Sequence, residues 1–259
     1  MSDSLTSFID AHCHLAEPKL NQIREEILER AQNQGITEFI QGGIDPQDWF
    51  RQKALRFEFP GKIHCSFGLH PWWVATHTET EFQGAFTLLE QALADAIALG
   101  ETGLDFLPRF PESTHPLQLQ AFEQQLELAH RARLPLILHI VKAHEPALAL
   151  LKRLHPEWSG ILHSFSGSAD LAHRYTDLGL LISIGAAVLR EGNRQIEKAI
   201  TSLNLNQLVI ESDSPDQLSE PADIFLVAKK VAMIKKVSPK EVLLQSAQNL
   251  RRAFSLFSA

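Results

Sequence analysis

Two histidines and an aspartate alternate along one short apolar run, Asp10-Ala11-His12-Cys13-His14. In an extended chain alternate side chains share a face and repeat about 6.6 Å apart. Asp10, His12 and His14 are thus expected on one face, with Ala11 and Cys13 on the other. Burying three polar groups on an apolar strand is costly without partners, and paired imidazoles suit a divalent metal. Four further apolar runs end in the same residue types. One continues into Gly100-Glu101-Thr102-Gly103-Leu104-Asp105, one ends at His139, one at His163, and one passes Glu211 to Asp213. A lone histidine is ordinarily structural, but five run ends carrying ligand types point to a shared site. His12, His14, Glu101, His139, His163 and Asp213 together could hold two divalent ions with a carboxylate between them. Such ions lower the pKa of bound water to about 7, which is the chemistry of hydrolysis at neutral pH.

These side chains meet only if the ends of all the runs lie on one face. Apolar runs at 7–11, 37–42, 63–68, 96–100, 136–140, 160–164, 180–184 and 208–211 alternate with amphipathic stretches. The clearest helix is 116–133, where Leu119, Phe122, Leu126 and Ala129 share a face. Pro116 and Pro146 stand where helices begin. Repeated β-then-α units read as an α/β fold with a parallel sheet. Eight units in 259 residues match a single (β/α)8 TIM barrel over the whole chain, with a doubly wound open sheet as the competing architecture. The barrel collects the C-terminal ends of its strands on one face, where catalytic groups sit.

Composition narrows the function classes. With 44% hydrophobic and 21% charged residues the chain is not mostly disordered. Lys and Arg number 24 against 31 Asp and Glu, a net charge of −7, which excludes a coat protein that binds nucleic acid through general basicity. A local cationic site or bound metal remains open. Two cysteines, Cys13 and Cys65, cannot form a disulfide framework; they read as small buried thiols in a reducing compartment. Residues 1–8 lack a basic start and an apolar run, and nowhere do about 18 apolar residues run together. The expectation is a cytoplasmic monomer without a leader or membrane span.

The motifs also occur in a recognisable order: DAHCHL at 10–15, GLHP at 68–71, GETGLDF at 100–106, a helix with Gln118, Phe122 and Gln125, LPLILH at 134–139, LHSFSG at 162–167 and ESDSP at 211–215. As a set they resemble the TatD-type metal-dependent deoxyribonucleases of the amidohydrolase-like barrel superfamily. The resemblance implies a (β/α)8 barrel that hydrolyses phosphodiesters, often 3′-to-5′ on single strands, with Mg2+, Mn2+ or Zn2+. It implies one ion on His12, His14, Glu101 and Asp213 and a second on Glu101, His139 and His163. Asp213 would also orient or deprotonate the attacking water, and His70 would contact the substrate phosphate. Single-stranded or fraying DNA is the implied substrate.

Two positions depart from the family pattern. Val141 stands where His-x-Arg usually places a phosphate-binding arginine, and only seven residues separate Asp213 from Pro221. Both leave room for a small-molecule amide or lactone hydrolase, or for a metal-binding protein of reduced turnover. Other residues read more plainly. Asp10 is expected behind the ligands, and Glu211 as a supporting or structural carboxylate. Asn249 is a helix-packing or capping residue. Trp72 and Trp73 either pack a loop or stack a base. Lys229, Lys230, Lys235 and Lys236 read as a solvated helix face; His64, His77, His130, His155 and His173 read as surface or structural.

Changing His12 and His14 together to alanine is expected to remove metal from the protein. Metal analysis after dialysis checks this; unchanged content would withdraw both histidines from the site.

Overall fold

The computed structural model of the protein describes residues 7–256. The segment 1–8, read as lacking a leader, falls mostly outside them. The strands are β1 (Phe8–Cys13), β2 (Ile36–Gln41), β3 (Ile63–His64), β4 (Ser66–Phe67), β5 (Ala98–Asp105), β6 (Leu136–Val141), β7 (Gly160–Leu162), β8 (Leu181–Ile184) and β9 (Leu208–Ile210). The helices are α1 (Arg24–Asn33), α2 (Pro46–Glu58), α3 (Pro71–Ala75), α4 (Glu79–Ala92), α5 (His115–Ala132), α6 (His144–Leu154), α7 (Ala169–Thr176), α8 (Arg194–Ser202), α9 (Ile224–Lys235) and α10 (Pro239–Ala253). Local chemistry sets their starts. Asp45 caps α2 by accepting from Asp48 N at 2.8 Å, and Pro46 follows at the first helical position. Thr78 and Glu81 form a capping box on α4.

Every strand pair is parallel, as a (β/α)8 barrel requires. The ladders run β1-β2-β3 and β4-β5-β6-β7-β8-β9. The expected third strand is split at Cys65 into β3 and β4. Gly43 bridges from β2 to β5 there, donating to Gly100 O at 3.2 Å and accepting from Glu101 N at 2.8 Å. At the other break, between β9 and β1, Asp213 N donates to His12 O at 2.9 Å and His14 N to Ser214 O at 2.7 Å.

The fourth strand corrects the sequence reading most. It was expected at 96–100 but continues to Asp105, buried throughout. Glycine-rich Gly-Glu-Thr-Gly has little strand propensity, yet it pairs with β6. Gly103 makes that possible. Its φ is +147°, and a Cβ there would lie 2.0 Å from His139 O. Glu101 therefore sits inside a strand, at a register shift, rather than at a strand end. By contrast His163 and Asp213 lie just beyond the shorter strands β7 and β9.

Two apolar layers position the site. The inner one joins Ile9, Ala11, Ile40, Ala98, Ile137, Ile161, Leu181 and Val209, one or two from almost every strand, with Ala247, Leu250 and Phe254 of α10. These strand residues precede the ligand candidates, so α10 plugs the end of the barrel opposite the site. The outer layer fills the space between strands and helices. Among the described residues no helix is long and apolar enough to cross a membrane.

Leu250 is fully buried in the plug. Leu250→Ala is expected to lower unfolding free energy by about 2–5 kcal/mol, as buried leucine truncations do. Urea denaturation would read the loss, and a cost below the measurement error would show that the plug does not seal the barrel.

Candidate metal centre

The alternation read in β1 fails once, and the failure builds the site. Ile9 and Ala11 both belong to the inner layer, whereas Cys13 packs in the outer one. Pairing with β2 slips between Asp10 and Cys13. This bulge places His12 and His14 together but separates them from Asp10, contrary to the one-face expectation. Asp10 instead accepts from Ser212 N at 2.9 Å and from Ser212 Oγ at 2.5 Å. It ties β1 to the segment carrying Asp213. Burial raises its carboxyl to about 8 despite these bonds.

The six sequence-derived ligand candidates come together around Glu101. Its Oε1 lies 3.6 Å from His12 Nε2 and 3.5 Å from His14 Nε2. Asp213 Oδ1 completes this group, at 3.7 Å from His12 Nε2 and 3.4 Å from His14 Nε2. A tetrahedral ion with bonds of about 2.1 Å needs edges of about 3.4 Å. Both ring nitrogens of His12 are buried without a hydrogen-bond partner, a costly state that a metal ion on Nε2 would relieve. These residues fit a divalent ion.

Glu101 Oε2 faces a second group. It lies 2.8 Å from His163 Nε2 and 3.7 Å from His139 Nδ1, and those two nitrogens are 2.9 Å apart. His139 presents Nδ1 because its Nε2 faces Asp105 Oδ2 at 3.5 Å. A carboxylate behind a histidine fixes its tautomer and orientation. His70 Nε2 also approaches Glu101 Oε2, at 3.5 Å. Trp72 N donates to His70 Nδ1 at 3.1 Å, so the neutral ring carries its proton on Nε2. Burial, outweighing Glu101, lowers His70 to about 4. It offers the cavity an N–H donor rather than a lone pair.

The charges are strongly coupled. Burial would raise the Glu101 and Asp213 carboxyls, but the surrounding imidazoles overcome it and hold both well ionised. Conversely, burial opposes protonation of His14 and His163, yet hydrogen bonding and charge from Asp213 and Glu101 lift them to about 10 and about 9. The dry nest thus demands positive charge, from protons or from metal.

Several residues escaped the sequence reading. Gly42 follows β2, and a Cβ on it would lie 2.4 Å from His12 Cε1, 2.6 Å from His14 Cε1 and 2.7 Å from Glu101 Oε1. Asp105, recognised only as part of a motif, accepts from Trp72 Nε1 at 2.5 Å and Leu107 N at 2.9 Å besides facing His139. Gln217 Nε2 donates to Asp213 Oδ2 at 2.6 Å. Glu211, by contrast, was read from the sequence as a supporting or structural carboxylate; it accepts from Ser164 N, next to His163, and from Ser183 Oγ. Burial lifts it to about 7. Only the fold places these partners.

The secondary expectations divide. Asn249 donates to Leu205 O and Leu208 O, a structural role. Trp73 stacks on His77, with ring centres 3.9 Å apart. The lysines of α9 are not uniformly solvated: Lys230 pairs with Glu197 at 2.7 Å, and Lys235 donates to Ile200 O at 3.1 Å.

Gly42→Ala is expected to weaken metal binding by about 10–100-fold, the range seen when ligand supports are disturbed. Calorimetric titration with Mn2+ or Zn2+ reads this, beside a thermal melt. Native affinity in a well-folded Gly42→Ala protein would show that the cradle tolerates a methyl group.

Comparison with known proteins supplies the family and the fold. The sequence profile of the TatD related DNase family matches residues 9–255. A relative from Escherichia coli K12, named as a metal-dependent hydrolase, YjjV, is 32% identical over 81% of this chain and 80% of its own. Human Deoxyribonuclease TATDN3 is 27% identical over 95% of this chain and 94% of its own. The crystal structure of the Escherichia coli TatD homologue YjjV superposes with a TM-score of 0.85 and 28% identity, covering 96% of this chain and 98% of that one. A TatD family hydrolase from Entamoeba histolytica shares the fold, with a TM-score of 0.83 at 19% identity over 95% and 97% of the two chains. With the family profile spanning almost all of its length, the chain belongs to the TatD-related DNase family.

Proposed function

We propose that this TatD-type metal-dependent hydrolase cleaves phosphodiester bonds in DNA, acting on single-stranded or fraying ends with two divalent ions. The observation that carries the reading is the split of Glu101. One oxygen faces His12 and His14, the other His139 and His163, at the floor of an open cavity of about 300 Å3. His12, His14, Glu101 and Asp213 would hold one ion, and Glu101, His139 and His163 the other. Two divalent ions would activate water and balance charge on the entering and leaving oxygens of a phosphodiester.

The chain's own groups do the rest. Asp213 is held ionised at the cavity wall, where it would orient or deprotonate the attacking water. His70 donates from Nε2 to a non-bridging phosphate oxygen, as a neutral donor that leaves ionised Glu101 undisturbed. Asp105 keeps His139 turned with Nδ1 inward. The name of the human relative supports DNA as the polymer. A second reading, a small-molecule lactone or amide hydrolase, is favoured by one observation. Val141, half-buried in the cavity wall, places an apolar side chain where the family puts its arginine.

Asp213→Asn is expected to reduce kcat on single-stranded DNA by about 10²–10⁴-fold, the size of general acid–base help, with unchanged thermal unfolding. Mn2+-dependent turnover of single-stranded DNA, duplex DNA, a simple lactone and an amide would be compared. Near-native turnover in the variant removes Asp213 from the mechanism. Lactone or amide hydrolysis with no phosphodiester cleavage would replace the nuclease reading with the second one.

A further inference from the structure

The cavity over the metal centre is lined by four carboxylates, Glu101, Asp105, Asp213 and Asp216. Among the described residues lining it, Arg109 is the only lysine or arginine. Arg109 stands in the loop between β5 and α5, and its side chain is 51% exposed. It is nevertheless pinned. Its Nη2 donates to Asp105 Oδ2 at 3.2 Å, and its guanidinium carbon lies 4.3 Å over the Trp72 ring and 4.9 Å over Phe110. Trp72 Nε1 donates to the same Asp105 oxygen, fixing the platform beneath the cation. This hydrogen bond to Asp105 is Arg109's only one among the described residues, so most of the five donors of the guanidinium face outward.

An arginine that is already ordered loses less entropy when it grips an anion, and its planar fork matches the two oxygens of a phosphate. Its position says which phosphate. Asp105 stands between Arg109 and His139, and His139 stands between Asp105 and Glu101. The guanidinium is therefore one carboxylate and one imidazole away from Glu101, the carboxylate shared by the two ligand groups. The polar partner of Arg109 among the described residues is Asp105, not a ligand candidate, a placement that suits a neighbouring phosphate of the same strand better than the one under attack.

We infer that Arg109, seated on Trp72, binds the phosphate next to the scissile one and so makes the protein prefer an oligonucleotide to an isolated phosphodiester. The inference rests on the phosphodiester reading above. It also places the substrate's charge beside β5, where Arg109 stands, rather than beside the apolar Val141 of β6. Trp72, which the sequence left open as a base-stacking residue, serves instead as the seat of the cation, because the guanidinium covers its ring.

The test compares wild-type, Arg109→Ala and Arg109→Lys proteins on a single-stranded decathymidylate and on bis(p-nitrophenyl) phosphate, which has one phosphate. Binding of labelled decathymidylate is followed by fluorescence anisotropy in an Asp213→Asn background, and folding by thermal melts. For Arg109→Ala the expected result is a KM about tenfold higher on the oligonucleotide, the scale of one charge-assisted contact, with kcat little changed. The preference for the oligonucleotide over the lone diester falls by a similar factor. The slope of log affinity against log salt falls by about 0.7, the value for one phosphate contact on a single strand. Arg109→Lys is expected to keep the slope and recover part of the KM. Equal losses on both substrates, or an unaltered KM and salt slope, would overturn the inference. A wild-type protein that cleaves neither substrate defeats the phosphodiester reading itself. The anisotropy slope then still decides Arg109, since loss of slope in the alanine variant supports a phosphate contact and an unchanged slope refutes it.

Discussion

Glu101 is almost fully buried, ionised and surrounded by imidazoles, and its charge cannot be left alone in so dry a place. The two oxygens of that one carboxylate set the plan of the molecule. β1 and the residue just after it supply His12 and His14 to one side; β6 and the residue just after β7 supply His139 and His163 to the other. The chain beyond β9 closes the first group with Asp213. Gly42 lies flat against the ligands because the space holds no further atom. A parallel barrel meets this demand because it alone among the architectures considered brings five separate strands to one point with the same polarity.

A layer of polar residues behind the ligands makes the arrangement durable. Asp105 faces His139, Asp10 binds Ser212 beside Asp213, and Glu211 binds Ser164 beside His163. Each support is a carboxylate bonded to the element that carries a ligand, so the ligand geometry does not rest on side-chain rotamers alone. Partly satisfied buried networks are expensive, whereas filled ones are rigid. Of the nitrogens that face Glu101, His12 Nε2 is buried without a hydrogen-bond partner, which is where a bound cation would complete the network.

Much of this was legible from the chain. Histidines and carboxylates at the ends of apolar runs named all six ligand candidates, and the alternation of runs with amphipathic stretches gave the barrel. The misses have physical causes. Period-two alternation assumed a regular strand, and the bulge between Asp10 and Cys13 broke it. Strand propensity ended the fourth run at Gly100, because it could not register that Gly103 lets β5 and β6 approach closely. Gly42 and Arg109 carried no local signal at all. A glycine after a strand and an arginine in a loop gain meaning only from neighbours distant in sequence, His12 for the one and Trp72 for the other.

The backbone hydrogen bonds from Asp213 N to His12 O and from His14 N to Ser214 O join the first and last strands at the same spot where their side chains form the first ligand group. The seam of the barrel and the centre of its chemistry coincide. During synthesis, every strand from β1 to β8 can emerge without producing a complete site, since Asp213 leaves the ribosome after β9. A chain released early therefore carries histidines but no finished hydrolytic centre. The first ligand group is thus assembled from the two ends of the strand order, and no stretch of chain that stops before β9 contains all of it.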